Sequence, residues 1–449
     1  MTPEEIARFD RAVPRYTSYP TALHFTAEVD AARYGRWLGA LPVGGTVSLY
    51  VHVPFCAQLC WFCGCQTTVI NRYDPVTAYL ATLEREIDRV AAMLADDHRV
   101  VHLHWGGGTP TLLTPDHVRR LGARLRERFV FADDAEIAVE VDPRGMTAET
   151  ARALADIGVT RASLGVQDFS PEVQSAIGRE QTYEATADVV DWLRAAGVAD
   201  LNIDLMYGLP KQTAEGVADT VDRAMTLSPQ RIALFGYAHV PWMKRHQRLI
   251  DESSLPGAVE RVCQAQAAER RLGERGYDVI GLDHFALPDD PLAIAAREGR
   301  LHRNFQGYTT DLADVLIGLG ASAIGTLPQG YVQNAARTPD YRKRVDGGDF
   351  AVVRGVEVDA DDRLRRDIIE RLMCDLAVDL DAVCARHGRA ADDVADGVAA
   401  LAPLREAGAV EVAGARVRVK PEARLLLRLA CAAFDRRFEP VPQRHARAV

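Results

Sequence analysis

Cys56, Cys60, Cys63 and Cys65 stand within ten positions of one another and make up half of the eight cysteines in a chain of 449 residues. Thiols gathered in this way can pair as disulfides, bind a single metal ion or hold an iron-sulfur cluster. A chain of this length buries an adequate core without covalent staples, so a disulfide framework is the weakest of the three. The other four cysteines, Cys263, Cys374, Cys384 and Cys431, are scattered. The N-terminal residues MTPEEIARFDRAVPRYTSYP place acids and prolines where a secretory leader needs an apolar run, and no stretch approaches the length that spans a bilayer. The expected compartment is therefore the reducing cytoplasm, where clustered thiols hold metal rather than each other. A net charge of -10 suits a nucleic acid backbone poorly. Neither nucleic acid nor a membrane is an expected partner.

Structural zinc commonly takes four ligands from two knuckles well separated in sequence, whereas these thiols share one short loop. Cys56, Cys60 and Cys63 form C-x-x-x-C-x-x-C, which offers three ligands to a four-iron cubane and leaves the fourth iron open to a small molecule. Cys65 follows after only Gly64, and a loop already wrapped through three corners has little reach left. It reads either as a thiol beside the cluster or facing the substrate, or as a small buried hydrophobe. Gly106, Gly107 and Gly108 let backbone approach a ligand closely. Glu140 and Asp204 are suited to accept hydrogen bonds from an ammonium group or ribose hydroxyls, or to cap a following helix. Arg179 offers a planar fork for a carboxylate, or a solvated charge at a helix end.

With these residues in view, the loop resembles the signature of radical S-adenosylmethionine enzymes. The longer strings PRYTSYPTA (14–22), YVHVPFCAQLCWFCGC (50–65), HWGGGTPT (104–111), EVDPR (140–144), GVQDF (165–169), NIDLMYGLPKQT (202–213), YAHVP (237–241), GLDHFA (281–286) and HRNFQGYTT (302–310) resemble the oxygen-independent coproporphyrinogen III oxidase family, in order over nearly the whole chain. The resemblance implies a 4Fe-4S cluster on Cys56, Cys60 and Cys63 and two S-adenosylmethionine sites. Tyr50, Gly107, Glu140 and Ile324 would line the site on the cluster. Phe62, Gly108, Thr109, Gln167, Arg179, Asp204 and Ala238 would line the second, and Cys65 and Tyr50 are the candidate catalytic side chains. The implied reaction begins when an electron from the cluster releases a 5'-deoxyadenosyl radical. That radical takes a hydrogen from the β-carbon of a propionate on coproporphyrinogen III, and loss of carbon dioxide and of one more electron, passed to an electron acceptor, leaves a vinyl group. Two propionates react in turn to give protoporphyrinogen IX, a step of haem biosynthesis that consumes no oxygen. A low-potential donor of flavodoxin or ferredoxin type and a monomeric protein are further expectations. A haem-binding chaperone derived from the same family and a non-enzymatic iron-sulfur sensor are the alternatives.

The elements that must position these residues follow from hydrophobic pattern. Apolar runs rich in β-branched residues recur at 46–54, 100–105, 136–141, 161–166, 201–206 and 231–237, separated by helical patterns such as YLATLEREIDRVAAML and DHVRRLGARLRERF. Thr114 and Pro115 make an N-cap and first-turn pair for the second of those helices. Six βα units predict an α/β fold with a partial parallel TIM-like barrel, and the candidate site residues fall at the C-terminal ends of its strands. HRNFQGYTT and GLGASAIGTLPQGYVQN read as loops over the barrel mouth. From about Val356 the pattern changes to amphipathic helices and then a hairpin turning at Gly414, which suggests a winged-helix-like, mainly helical domain that serves as a lid or docking surface. The expected organisation is an N-terminal extension over 1–45, the barrel with covering loops over 46–355, and the C-terminal domain over 356–449. VPRYTSYPTALHF, with two prolines and three aromatics, reads as a substrate clamp. A tetrapyrrole with four propionates needs aromatic area and cations. Arg15, His302 and Arg303 are the candidate cations, and Tyr16 and Tyr19 the candidate ring contacts. The tail after Pro440 is expected to be mobile.

Overall fold

β1 (Thr46–Val53) reads TVSLYVHV, and six of its eight residues are buried. Burial on both faces is the mark of a parallel strand covered by helices rather than of a half-solvated ribbon. In the computed structural model, which describes residues 1–95, 97–439 and 447–448, this strand is central to a twelve-stranded open sheet. β2 (Arg99–Gly107), β3 (Val130–Val141), β4 (Arg161–Gln167), β5 (Asp200–Tyr207) and β6 (Arg231–Gly236) follow in parallel, each paired with the one before. The six predicted strands are all present, and they curve as a partial barrel whose end strands do not meet.

Helices cross between the strands: α1 (Asp74–Ala91), α2 (Pro115–Arg128), α3 (Ala148–Asp156), α4 (Tyr183–Ala195) and α5 (Ala214–Met225). Thr114, Thr147, Thr182 and Thr213 cap α2 to α5, each hydroxyl accepting a backbone N–H in the first turn. Such a cap typically contributes about 1 kcal/mol and fixes where each helix begins. The apolar faces of these helices and the strand side chains, Leu49, Val51, Leu103, Leu164 and Ile203 among them, form one continuous core. Each such side chain contributes roughly 1.5–3 kcal/mol on burial.

GLGASAIGTLPQGYVQN departs from its expected place over the barrel mouth. It contributes to β7 (Val315–Leu319), which pairs in parallel with β1, and to β8 (Ile324–Leu327) and β9 (Gly330–Asn334), which continue the sheet toward β10 (Val352–Glu357). Its glycines mark close strand approach rather than loop. A Cβ at Gly318 would lie 2.7 Å from the Ile324 carbonyl oxygen, and one at Gly330 would lie 2.0 Å from that of Val356. HRNFQGYTT forms a short antiparallel hairpin, His302–Asn304 with Gly307–Thr309. Glu86 of α1 ties this half of the sheet together. Its buried carboxylate accepts from the Gly320 amide at 2.6 Å, Asn334 Nδ2 at 2.7 Å and the Tyr341 hydroxyl at 2.7 Å.

The C-terminal elements are a long helix (Ala360–Asp375), a three-stranded sheet in which Val410–Ala413 and Arg416–Val419 form the predicted hairpin, and a last helix (Leu427–Ala433). Gly414, at φ 59°, supplies the left-handed turn. Ile6, Val13, Tyr16 and Tyr19 from the N-terminal segment are buried within the hydrophobic core of these elements, with Leu364, Ile368 and Leu372. The stretch after Pro440 lies outside the described residues except for Arg447 and Ala448. Among the described residues no helix is long and apolar enough to cross a membrane.

Candidate active site

The cysteine loop leaves the C-terminal end of β1 and closes on itself where Phe55–Cys56 pairs with Thr68–Val69. The segment after β6 fastens it from outside. His246 Nε2 meets the Cys63 carbonyl at 2.7 Å, Gln247 Nε2 donates to that of Phe62 at 2.9 Å, and Lys244 Nζ donates to that of Cys65 at 3.0 Å. Cys56, Cys60 and Cys63 line one cavity of about 160 Å³. Among the described residues no three His, Cys, Asp or Glu side chains converge closely enough to hold a single ion. Lining a cavity suits thiolates that grip the corners of a multi-atom cluster. Donors face the sulfurs: Arg144 Nη2 at 3.2 Å and Arg179 Nη1 at 3.4 Å from Cys60 Sγ, and Thr109 Oγ1 at 3.6 Å from Cys56 Sγ. Such donors offset the negative charge that ligating sulfurs carry. The residues present therefore fit an iron-sulfur cluster.

The ends of β2 to β5 supply the rest of the same cavity, to which Phe62, Gly107, Gly108, Thr109, Glu140, Gln167, Arg179 and Asp204 all contribute. A Cβ at Gly108 would stand 2.6 Å from the Phe55 carbonyl oxygen, so only glycine passes there. Glu140 accepts from the Gly107 amide at 2.9 Å and meets His104 Nε2 at 3.3 Å. Burial alone would raise its pKa, but the His104 and Gly107 bonds outweigh burial and hold it below the usual value. Asp204 is pushed up to about 7, first by burial and then by the nearby Glu140, although Ser163 and Asn202 donate to it at 3.0 and 2.7 Å. Two carboxylates in one cavity with pKa values pushed apart is an arrangement typical of functional sites. Gln167 ends β4 at φ 72°, after a bulge, which turns its side chain into the cavity.

Three expected residues, Tyr50, Ile324 and Ala238, do not line it. Tyr50 pairs in register with Gly318, over which the Ile324 carbonyl packs, so Tyr50 and Ile324 are neighbours across the sheet. The Tyr50 hydroxyl is 2.9 Å from His52 Nδ1, and His52 Nε2 is 3.1 Å from the Gln66 carbonyl. Burial pushes the Tyr50 phenol well up and the His52 imidazole down. The phenol therefore donates to Nδ1, and Nε2–H holds Gln66 at the end of the cysteine loop. Ala238 lies instead in a second cavity of about 340 Å³. Cys65 is exposed and lines both cavities, which excludes the buried-hydrophobe alternative.

Of the five expected substrate residues, Tyr16, Tyr19, His302 and Arg303 border one cavity of about 300 Å³, and Arg303 also reaches the second cavity, where it meets Arg15. Tyr16 and His302 do not line the second cavity. Tyr16 is 3% exposed and donates to Asp435 at 3.0 Å, and His302 Nδ1 meets Glu370 at 3.0 Å. His302 stands next to Arg303 in a strand, where successive side chains point to opposite sides, and Tyr16 follows Arg15 with a left-handed backbone at φ 48°. Tyr19, 1% exposed, is likewise committed to the core. Asp142 and Arg144, which orient Arg179 and Cys60, sit inside the quoted EVDPR string but were given no role from it. Nothing in the sequence pattern singled out Lys244, His246 and Gln247.

Residues 50–224 match the Radical SAM superfamily, and residues 358–426 match the HemN C-terminal domain. The oxygen-independent coproporphyrinogen III oxidase of Bradyrhizobium diazoefficiens is 50% identical over 440 residues, covering 98% of both chains. That of Escherichia coli is 42% identical over 431 residues, covering 96% of this chain and 94% of its own. The solved structure of the Escherichia coli coproporphyrinogen III oxidase, described as a radical SAM enzyme, superposes with a TM-score of 0.90 over 94% of this chain and 98% of that one. A cavity that joins three thiols to strand-end glycines and carboxylates, on a fold shared end to end with these proteins, places the chain in the oxygen-independent coproporphyrinogen III oxidase family of radical SAM enzymes.

Proposed function

We propose that this chain converts two propionate side chains of coproporphyrinogen III to vinyl groups by oxidative decarboxylation without oxygen, giving protoporphyrinogen IX. The observation that carries the reading is the position of Cys65, which borders both the cavity of the three cluster cysteines and the second, larger cavity. A cofactor-side chamber and a substrate-side chamber thus share one wall. When bound, the 4Fe-4S cluster and S-adenosylmethionine supply reductive cleavage and the abstraction of a propionate hydrogen. Cys56, Cys60 and Cys63 would hold the cluster, with Arg144 and Arg179 offsetting the charge of the thiolates. Tyr50, Gly107, Glu140 and Ile324 would hold the S-adenosylmethionine on the cluster. Phe62, Gly108, Thr109, Gln167, Arg179 and Asp204 would hold a second molecule, to which Ala238 would reach from the second cavity. Cys65 faces the substrate, and Tyr50 acts through His52 to keep the loop in place. The remaining parts of the reading are a flavodoxin- or ferredoxin-type electron donor, a monomer and a cytoplasmic location. Anaerobic incubation of the reconstituted protein with reductant, S-adenosylmethionine and coproporphyrinogen III tests the reading. It expects protoporphyrinogen and 5'-deoxyadenosine to form. Haem binding with no porphyrinogen product would overturn it in favour of the chaperone.

A further inference from the structure

Buried arginines in this protein are ordinarily met by carboxylates. Arg231, with 8% of its side chain exposed, lies 2.8 Å from Asp290, and Arg424 lies 2.7 Å from Glu269. The second cavity, which the Arg424–Glu269 pair also lines, holds further arginines that break that rule. Arg15, Arg261, Arg303 and Arg428 all line it, and Asp283 is the carboxylate left to face them. Arg303 stands 3.7 Å from Asp283, beyond hydrogen-bond range, and packs over the Tyr308 ring. Arg15 donates to the Gly236 carbonyl at 3.3 Å, and Arg428 donates to the carbonyls of Arg447 and Ala448 at 2.6 and 2.7 Å. Arg261 lies over the Tyr207 ring at 5.7 Å. Among the described residues, Arg261 Nε, Arg303 Nε and Nη1, and Arg428 Nη1 are buried without a hydrogen-bond partner.

A buried guanidinium nitrogen left without a partner is costly, and three arginines carry such nitrogens around one carboxylate, with the more exposed Arg15 beside them. Burial, followed by the repulsion of Arg15, pushes Arg428 down to about 10, still charged at neutral pH. Arg15 is lowered by burial, with Arg303 and Arg261 adding to the effect against Asp283. Phe235, Leu282 and Phe305 give the same cavity apolar wall. Unpaired cations beside apolar area call for a ligand with a ring system and several carboxylates.

We propose that Arg15, Arg261, Arg303 and Arg428 form a single carboxylate-binding set that holds the propionates of the tetrapyrrole away from the cysteine loop. Arg428 comes from the C-terminal domain and Arg15 from the N-terminal segment. The domain is then part of the substrate site, and the ends of the chain close that site together. This rests on the function proposed above and specifies which residues grip the substrate.

Arg261→Gln, Arg428→Gln and Arg428→Lys test the assignment, with exposed Arg300→Gln as the control. The probes are coproporphyrin III and its tetramethyl ester, followed by fluorescence titration of the reconstituted protein, beside KM and kcat for coproporphyrinogen III. Each Gln variant is expected to raise Kd for the tetra-acid and KM about tenfold or more, the effect of losing roughly 1.4 kcal/mol. Iron content stays at the parent level and kcat falls far less. Lys at 428 recovers part of the loss, the control matches the parent, and ester binding is the same in all. Should Arg428→Gln lose iron through misfolding, Arg261→Gln decides alone. Unchanged Kd and KM in that variant overturn the set. A parent protein that neither binds nor converts the tetra-acid refutes the underlying function instead.

Discussion

Each cluster thiol has surroundings of its own: Thr109 faces Cys56, Arg144 and Arg179 face Cys60, and the Cys65 amide donates to Cys63 at 3.4 Å. Cys65 itself opens toward the second cavity. Replacing Cys56, Cys60 or Cys63 with Ser is therefore expected to remove most of the bound iron, whereas Cys65→Ser retains it and loses turnover. Iron and sulfide analysis of anaerobically reconstituted variants distinguishes the two classes, and equal loss in all four would contradict the three-thiol assignment. Glu140→Ala and Asp204→Ala are expected to keep iron but to cut reductive cleavage of S-adenosylmethionine at least tenfold. The loss of a buried acceptor typically costs about 1–3 kcal/mol. Deoxyadenosine formed per hour with reductant is the readout, and parent rates would refute the placement. At this scale the cofactor cavity is legible in the sequence, because its residues come in short strings at successive strand ends. The guanidinium set is legible only in Arg15 and Arg303, which stand in strings that carry the family resemblance. Arg261 and Arg428 lie on distant segments, and each taken singly looks like a solvated charge.

The six βα units are legible for the same reason that they fold: runs of β-branched residues buried on both faces alternate with amphipathic helices headed by threonine caps. The strands after β6 are obscured by glycine. Gly318, Gly325 and Gly330 suggest loop by composition, but at Gly318 and Gly330 another strand's backbone leaves no room for a Cβ, and at Gly325 the fit is tight. Glu86 binds these added strands to α1, and burial pushes its carboxyl up to about 7 despite the donors Tyr341, Gly320 and Asn334. A folded-state value above the ordinary 4.5 means that the stabilising contribution is fully present below about pH 4.5 and is lost as pH rises through 7. The difference is on the order of 3 kcal/mol. Glu86→Gln should flatten this decline, so the gap in Tm between parent and variant changes between pH 5 and pH 8 in favour of the variant. A gap independent of pH would show that Glu86 is ionised throughout.

Across the whole molecule, the N-terminal segment proposed as a clamp is also a structural strut. From the sequence, removing residues 1–22 should abolish turnover and spare everything else. With Ile6, Val13, Tyr16 and Tyr19 buried in the C-terminal core, the same deletion exposes that core. The truncated protein is expected to lose several degrees of Tm and to aggregate on heating, while its barrel still takes up iron. Arg15→Gln, which removes a cavity cation without touching the core, is the cleaner probe of the clamp and should raise KM with Tm unchanged. Position along the chain hid this double role, since adjacent residues of the segment face a cavity and a core by turns. The central claim is that a cofactor chamber and a substrate chamber meet at Cys65, so that hydrogen passes directly from a propionate to the adenosyl group. Coproporphyrinogen III deuterated at the propionate β-carbons tests this most directly, with mass spectrometry of the 5'-deoxyadenosine formed in anaerobic turnover. The account predicts deuterium in 5'-deoxyadenosine in step with protoporphyrinogen formation; product accompanied by unlabelled 5'-deoxyadenosine would contradict it.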